Sequence, residues 1–150
     1  MVPNRYFEDF EAGMVFEFGD YEVTESEMIA FAKAYDPQPF HTQPIPPENC
    51  GSDRLIASGW HTCAMTMRLM VDHFIPPATV MPSPGLEGLK WLSPVYPGDR
   101  LGIRITVLAA RPSETKPDRG IVRLQVQTLN QRNDIVQDLI QPAFFRRCSA

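Results

Sequence analysis

Asp36 and His41 are the residues whose types and spacing could do chemistry. They place a carboxylate and an imidazole five positions apart on the proline-bracketed segment Tyr35-Asp36-Pro37-Gln38-Pro39-Phe40-His41. Pro37 and Pro39 lack an amide hydrogen and push the residues before them toward extended backbone. The pattern therefore predicts that Asp36 ends a helix and that His41 stands on an ordered, extended loop. Side chains held still on such a segment suit acid–base work on a bound water or a substrate proton. A second reading fits the same residues: an Asp before Pro commonly starts a turn or ends a helix, and a His nearby can be a hydrogen-bonded loop residue. Spacing leaves both readings open.

The flanking stretches must position this pair. Thr24-Glu25-Ser26-Glu27 has the spacing of a capping box, with Val23 and Met28 placed to close a hydrophobic staple around it. Met28, Phe31, Ala32 and Tyr35 follow at helical intervals, so the expected helix turns these four to a core and delivers Asp36 at its C-terminal end. Ser58 is placed to cap a second helix from about Gly59 to Phe74, stopped by Pro76-Pro77. Its apolar residues, from Trp60 through Met65, Met67 and Met70 to Phe74, are spread around most of the circumference, the pattern of a central buried helix. His61 falls in its first turn as a candidate for a structural or a catalytic role, and His73 lies at its far end with no role assigned. The proline-rich stretch from Thr42 to Arg54 reads as an ordered loop, either a binding segment or a plain surface excursion.

Upstream, residues 14–23 read as a short or broken strand interrupted by Gly19-Asp20. Downstream of Pro84 the periodicity changes from 3.6 to 2. Leu89 and Trp91 flank Lys90, then Leu101, Ile103, Ile105, Val107 and Ala109 alternate with their neighbours, and Val122, Leu124 and Val126 continue the pattern. Pro97-Gly98-Asp99 marks a turn, Pro112 to Gly120 an exposed hairpin loop, and Ile135 to Phe144 a last strand. An apolar helix followed by long alternating strands predicts an α+β fold in which an antiparallel sheet wraps the helix.

With 150 residues and 43% apolar composition, the chain is expected to form a single domain over residues 1–150. A net charge of −4 with no run of like charges argues against nucleic acid and against electrostatic docking on a membrane. Cys50, Cys63 and Cys148 make an odd count without a repeated spacing, so neither a disulfide framework nor a zinc pattern is suggested. The acidic N-terminal stretch is unlike a signal peptide, and a cytoplasmic location is expected.

Asp36-Pro37-Gln38-Pro39-Phe40-His41, preceded by Met28-Ile29-Ala30-Phe31-Ala32 and followed by Leu55-Ile56-Ala57-Ser58-Gly59-Trp60-His61, resembles the signature of the MaoC-like acyl dehydratases, the R-specific enoyl-CoA hydratase group. That pattern reads Asp-x-Asn-Pro-aliphatic-His, and Gln38 and Phe40 differ from its strictest form. The likeness runs from Phe7-Glu8-Asp9-Phe10-Glu11-Ala12-Gly13 to Val95-Tyr96-Pro97-Gly98-Asp99. It implies a hot-dog fold assembled as a homodimer or higher homo-oligomer. It also implies reversible addition of water to a 2-enoyl thioester such as an enoyl-CoA, giving an (R)-3-hydroxyacyl thioester. No cofactor is expected, and a metal site from Asp36, His41 and His61, though conceivable, lacks any recurrent ligand spacing, so no metal is expected. Asp36 and His41 would be the catalytic pair acting on the water, their separate roles unassigned.

Hydration also needs a partner for the charge that develops on the carbonyl oxygen. The first turn of the Gly59 helix offers unpaired amides and the positive end of the helix dipole. The resemblance makes Ser58-Gly59 the carbonyl site, whereas from the residues alone an ordinary N-cap beside a small residue is the favoured reading. Two other classes share this frame: a hot-dog thioesterase that hydrolyses the thioester, and a noncatalytic acyl-thioester binding protein.

Overall fold

The computed structural model describes residues 1–148. A 3-10 turn at Phe7–Asp9 leads into β1 (Val15–Glu22). Then come α1 (Glu25–Tyr35), the short α2 (Pro39–Thr42) and the long α3 (Gly59–His73). Five strands follow: β2 (Val80–Met81), β3 (Glu87–Trp91), β4 (Arg100–Pro112), β5 (Arg119–Leu129) and β6 (Ile135–Arg146). All pairings are antiparallel, in the order β1-β4-β5-β6-β2, with β3 also on the outer side of β6. The α+β arrangement expected from the change of periodicity is what forms.

Alternation along β4, β5 and β6 turns Leu101, Ile103, Ile105, Val107, Val122, Leu124, Val126, Leu139 and Phe145 into one core, where α3 adds Met65, Leu69 and Met70. The alternation expected through Ala109 breaks at a bulge after Val107. An extra residue there shifts the register, leaving Leu108 and Ala109 exposed. In β1 the interruption seen at Gly19-Asp20 is likewise a register shift between Phe18 and Tyr21 within one continuous strand. Gly19 has φ +90°, and a β-carbon there would fall 2.7 Å from Leu69, so the bulge also lets α3 approach.

α3 is not buried on nearly all sides. His61, Thr62, Met65, Thr66, Leu69 and Met70 form the inward stripe, while Trp60, Ala64, Met67 and Val71 form a second stripe open to solvent. Two stripes at i, i+4 spacing on different faces look continuous in sequence, which is why apolar content alone overstated the burial.

α1 begins as its spacing predicts, with the Thr24 hydroxyl accepting from the Glu27 amide at 3.3 Å. The return half of the box is replaced: the Glu27 carboxylate turns inward to Tyr21 and His61. Met28 and Ala32 are fully buried, Phe31 is half-buried, and Tyr35, the last residue of α1, is exposed although it shares their stripe. Behind α1, the turn at Gly98 ties Val23 to Asp99. The Val23 amide donates to the Asp99 carbonyl and the Gly98 amide to the Val23 carbonyl, which fixes where α1 starts.

Candidate active site

Asp36 caps α1 with backbone φ −149° and ψ 67°, its amide still donating to the Ala32 carbonyl. The chain then reverses through Pro37 and re-enters a helix, so His41 lies in the single turn α2 and not on an extended loop. Pro39 occupies the first turn of that helix, where its missing amide hydrogen has no intrahelical partner to lose. The prolines set the break between two helices instead of excluding the second.

α2 is braced against the segment that enters α3. The Ile56 amide donates to the Phe40 carbonyl at 3.0 Å, and the Ile56 carbonyl accepts from His41 Nδ1 at 2.8 Å. That second bond commits the proton of the neutral imidazole to Nδ1 and leaves the Nε2 lone pair free. Nε2 faces Asp36 Oδ2 at 3.4 Å. His41 is 7% exposed, so its ring has little freedom to turn.

Both Asp36 oxygens accept hydrogen bonds, Oδ2 from the Ser58 hydroxyl at 2.6 Å and Oδ1 from the Gln38 side-chain amide at 2.7 Å. Burial acts to raise the Asp36 pKa, but the bonds from Ser58 and Gln38 and the nearby His41 outweigh it, and the carboxyl is held below its ordinary value. Asp36 is therefore an ionised acceptor at neutral pH. Ser58 does not cap α3 through its side chain, as its position suggested; its hydroxyl is spent on Asp36, 22 residues away.

Gly59 is the first residue of α3, so its amide has no intrahelical acceptor and lies at the positive end of the dipole. It opens onto a cleft of about 410 Å³ that it shares with Asp36, Gln38, His41, Thr62 and Trp91. A wall of this cleft was not foreseen: the Trp91 indole packs directly on Gly59, so a β-carbon there would come within 2.4 Å of the ring. Its floor is tied down by the Ala57 amide, which donates to the Val95 carbonyl at 2.8 Å.

His61 is outside this constellation. It is 2% exposed, stacks on Phe31 with ring centroids 4.7 Å apart, and meets Glu27 Oε1 through Nε2 at 3.3 Å. Burial lowers its pKa despite the opposing effect of Glu27. Tyr21 shares the same carboxylate, and burial together with that bond pushes its phenol up to about 12. The trio pins α1 to α3 and so fixes the distance from the end of α1 to the start of α3, which a structural histidine would do. The Thr42–Arg54 loop contributes no lining residue to the cleft; it folds on itself, with Gly51 against the Phe40 ring. His73 is exposed beside Phe18.

Comparison with known proteins agrees with this frame. A MaoC-like dehydratase from Rhodospirillum rubrum is 38% identical, with a TM-score of 0.90 over 98% of this chain and 100% of that one. R-hydratase PhaJ1 from Pseudomonas aeruginosa shares the fold at 23% identity and TM-score 0.75, covering 97% of this chain and 88% of its own. A Mycobacterium tuberculosis protein described as a double hotdog fold matches at 19% identity and TM-score 0.69; the match covers 97% of this chain and 45% of that one. The curled antiparallel sheet around α3 is thus a hot-dog fold. The family model for the MaoC like domain matches residues 9–129, taking in α1, α2, α3 and the cleft between them, and the chain belongs to the MaoC-like hydratase/dehydratase family.

Proposed function

We propose that the protein is a hydratase/dehydratase that adds water reversibly across the double bond of a 2-enoyl thioester, such as an enoyl-CoA, to give an (R)-3-hydroxyacyl thioester. The observation that carries this reading is the placement of two acceptors, Asp36 and His41 Nε2, beside the free amide end of α3 in one cleft. A water seated between them donates one hydrogen to each. Asp36 already accepts from Ser58 and Gln38 and is held ionised, so it orients the water, while the free lone pair of His41 Nε2 takes the proton. The water oxygen bonds to C3, the π electrons shift toward the carbonyl, and the Gly59 amide holds the growing negative charge on the thioester oxygen. Protonated Nε2 then returns its proton to C2, and the site is restored.

α3 carries an exposed apolar stripe, with Trp60 59% and Val71 49% exposed, and its Trp60 end lines the cleft with the exposed Leu92 that follows edge strand β3. An apolar surface of this kind supports a homodimer as the working form. The reading is tested by incubating crotonyl-CoA with the protein while following loss of the enoyl absorbance and release of free thiol together. Loss of the enoyl without thiol is expected. Thiol release would make it a thioesterase, and binding without turnover a carrier or sensor.

A further inference from the structure

Trp91 is held more firmly than a residue beside the reacting groups needs to be if it only fills space. It faces Gln137 across the β3–β6 ladder, and its indole Nε1 donates to Gln137 Oε1 at 3.0 Å. Gln137 is completely buried on the inward face of β6, a costly place for an amide unless all its polar atoms are satisfied. They are: Oε1 also accepts from Cys63 Sγ at 3.2 Å, and Nε2 donates to Thr66 Oγ1 at 3.2 Å, which shares a hydrogen with Thr128 Oγ1 at 2.6 Å. Trp60 packs edge-on at 5.4 Å. The network fixes the plane of an indole that remains 47% exposed along the cleft.

We propose that Trp91 is the contact surface for the thiol arm of the thioester, meaning the sulfur and the methylenes leading from it, and not for the acyl group. The inference rests on the hydratase reading for the direction in which substrate lies. Contacts link the groups in the order His41, Asp36, Ser58, Gly59, Trp91, and all of them but the buried Ser58 line the cleft. A 2-enoyl thioester carries its atoms in matching order: C3, which takes the water; C1, whose oxygen needs a donor; then sulfur. With C3 at Asp36 and His41 and the carbonyl at the Gly59 amide, sulfur comes next, on the side of the indole. Acyl carbons beyond C3 lead away from it. Sulfur and methylenes suit an aromatic face, and a ring already immobilised loses little freedom when they bind.

Butanoyl-CoA and octanoyl-CoA share this arm and cannot be hydrated, so calorimetric titration of both into the wild type, Trp91→Phe and Trp91→Ala isolates the contact. Trp91→Ala is expected to weaken both ligands by the same factor, about tenfold, with a smaller loss for Trp91→Phe. With crotonyl-CoA the loss should appear in KM more than in kcat, the mark of uniform binding. A loss that grows with acyl length would make Trp91 a wall of the acyl pocket and overturn the proposal, as would undiminished binding. Should Trp91→Ala fail to fold, the fluorescence of Trp91 in a Trp60→Phe protein replaces it: equal quenching by the two thioesters is expected, and no change at saturation refutes the contact. A wild type that binds both saturated thioesters yet leaves crotonyl-CoA unchanged defeats the hydratase reading and leaves the contact standing. A normal hydratase whose Trp91→Ala variant binds as tightly as wild type defeats the contact alone.

Discussion

Replacing Gly59 by Pro removes the amide assigned to the thioester carbonyl, but the indole on Gly59 decides how that experiment must be done. A β-carbon at position 59 would sit 2.4–2.7 Å from three indole atoms, against an ordinary contact of 3.4–4 Å, so the ring must retreat by about 1 Å for alanine and proline alike. That retreat strains the 3.0 Å bond from Trp91 to Gln137, whose loss costs about 0.5–1.5 kcal/mol, since Gln137 Oε1 keeps its bond from Cys63 Sγ. Gly59→Ala in the wild-type background should therefore melt at a lower temperature and lose activity even though it keeps the amide. The discriminating comparison is made in a Trp91→Leu parent, which clears the space. There Gly59→Ala is expected to keep kcat within a few-fold of its parent, whereas Gly59→Pro should lose about 10²–10³ while folding normally, since proline is accepted at the first helical position. Steady-state kinetics with crotonyl-CoA and thermal melts of the wild type, Gly59→Ala, the Trp91→Leu parent and its two Gly59 variants measure this. Equal kcat for Ala and Pro in the Trp91→Leu parent would refute the amide's role.

Three further outcomes follow from the same geometry. Asp36→Asn and His41→Ala should each lower kcat by about three or more orders of magnitude, and the double variant should be little worse than the poorer single one, because in the proposed reaction the two act on one water; additive losses would mean two unconnected roles. Ser58→Ala removes the 2.6 Å bond that helps hold the Asp36 pKa down, so burial regains weight and the acid limb of the kcat/KM profile should move to higher pH, with an unmoved limb counting against the assignment. His61, buried with its pKa lowered from 6.5, takes up a proton more readily in the unfolded chain; wild-type stability should fall as pH drops below 6.5 toward the folded value, and His61→Gln should flatten that part of the Tm–pH curve.

The sequence carried the parts of this site that depend on local pattern. Thr24 at the head of α1, Asp36 at its end and Gly59 at the head of α3 all stand where propensity and proline placement put them. What it did not carry are contacts between distant segments. The Ser58 hydroxyl looks like a helix cap until Asp36 is folded beside it, and Glu27 looks like half of a capping box until Tyr21 and His61 claim its carboxylate. Tyr35 fits a helical stripe by spacing but, as the last residue of α1, stays exposed. Trp91 was legible only as one member of an alternating strand. Its signal was indirect, lying in Gln137 on the inward face of β6, where a buried amide demands a partner.

The most direct measurement of the central claim is the facial course of hydration. Asp36 Oδ2 and His41 Nε2 stand 3.4 Å apart in the cleft, so on the proposed reading the water that leaves its oxygen on C3 and the proton returned to C2 reach the same face of the double bond. Hydrating crotonyl-CoA in deuterium oxide and reading the coupling between the hydrogens on C2 and C3 by proton NMR reports that geometry. A single diastereomer, with deuterium at C2 and the hydroxyl at C3 added to the same face, is the predicted product; addition to opposite faces, or a mixture of the two, would contradict a water held and returned by Asp36 and His41 together.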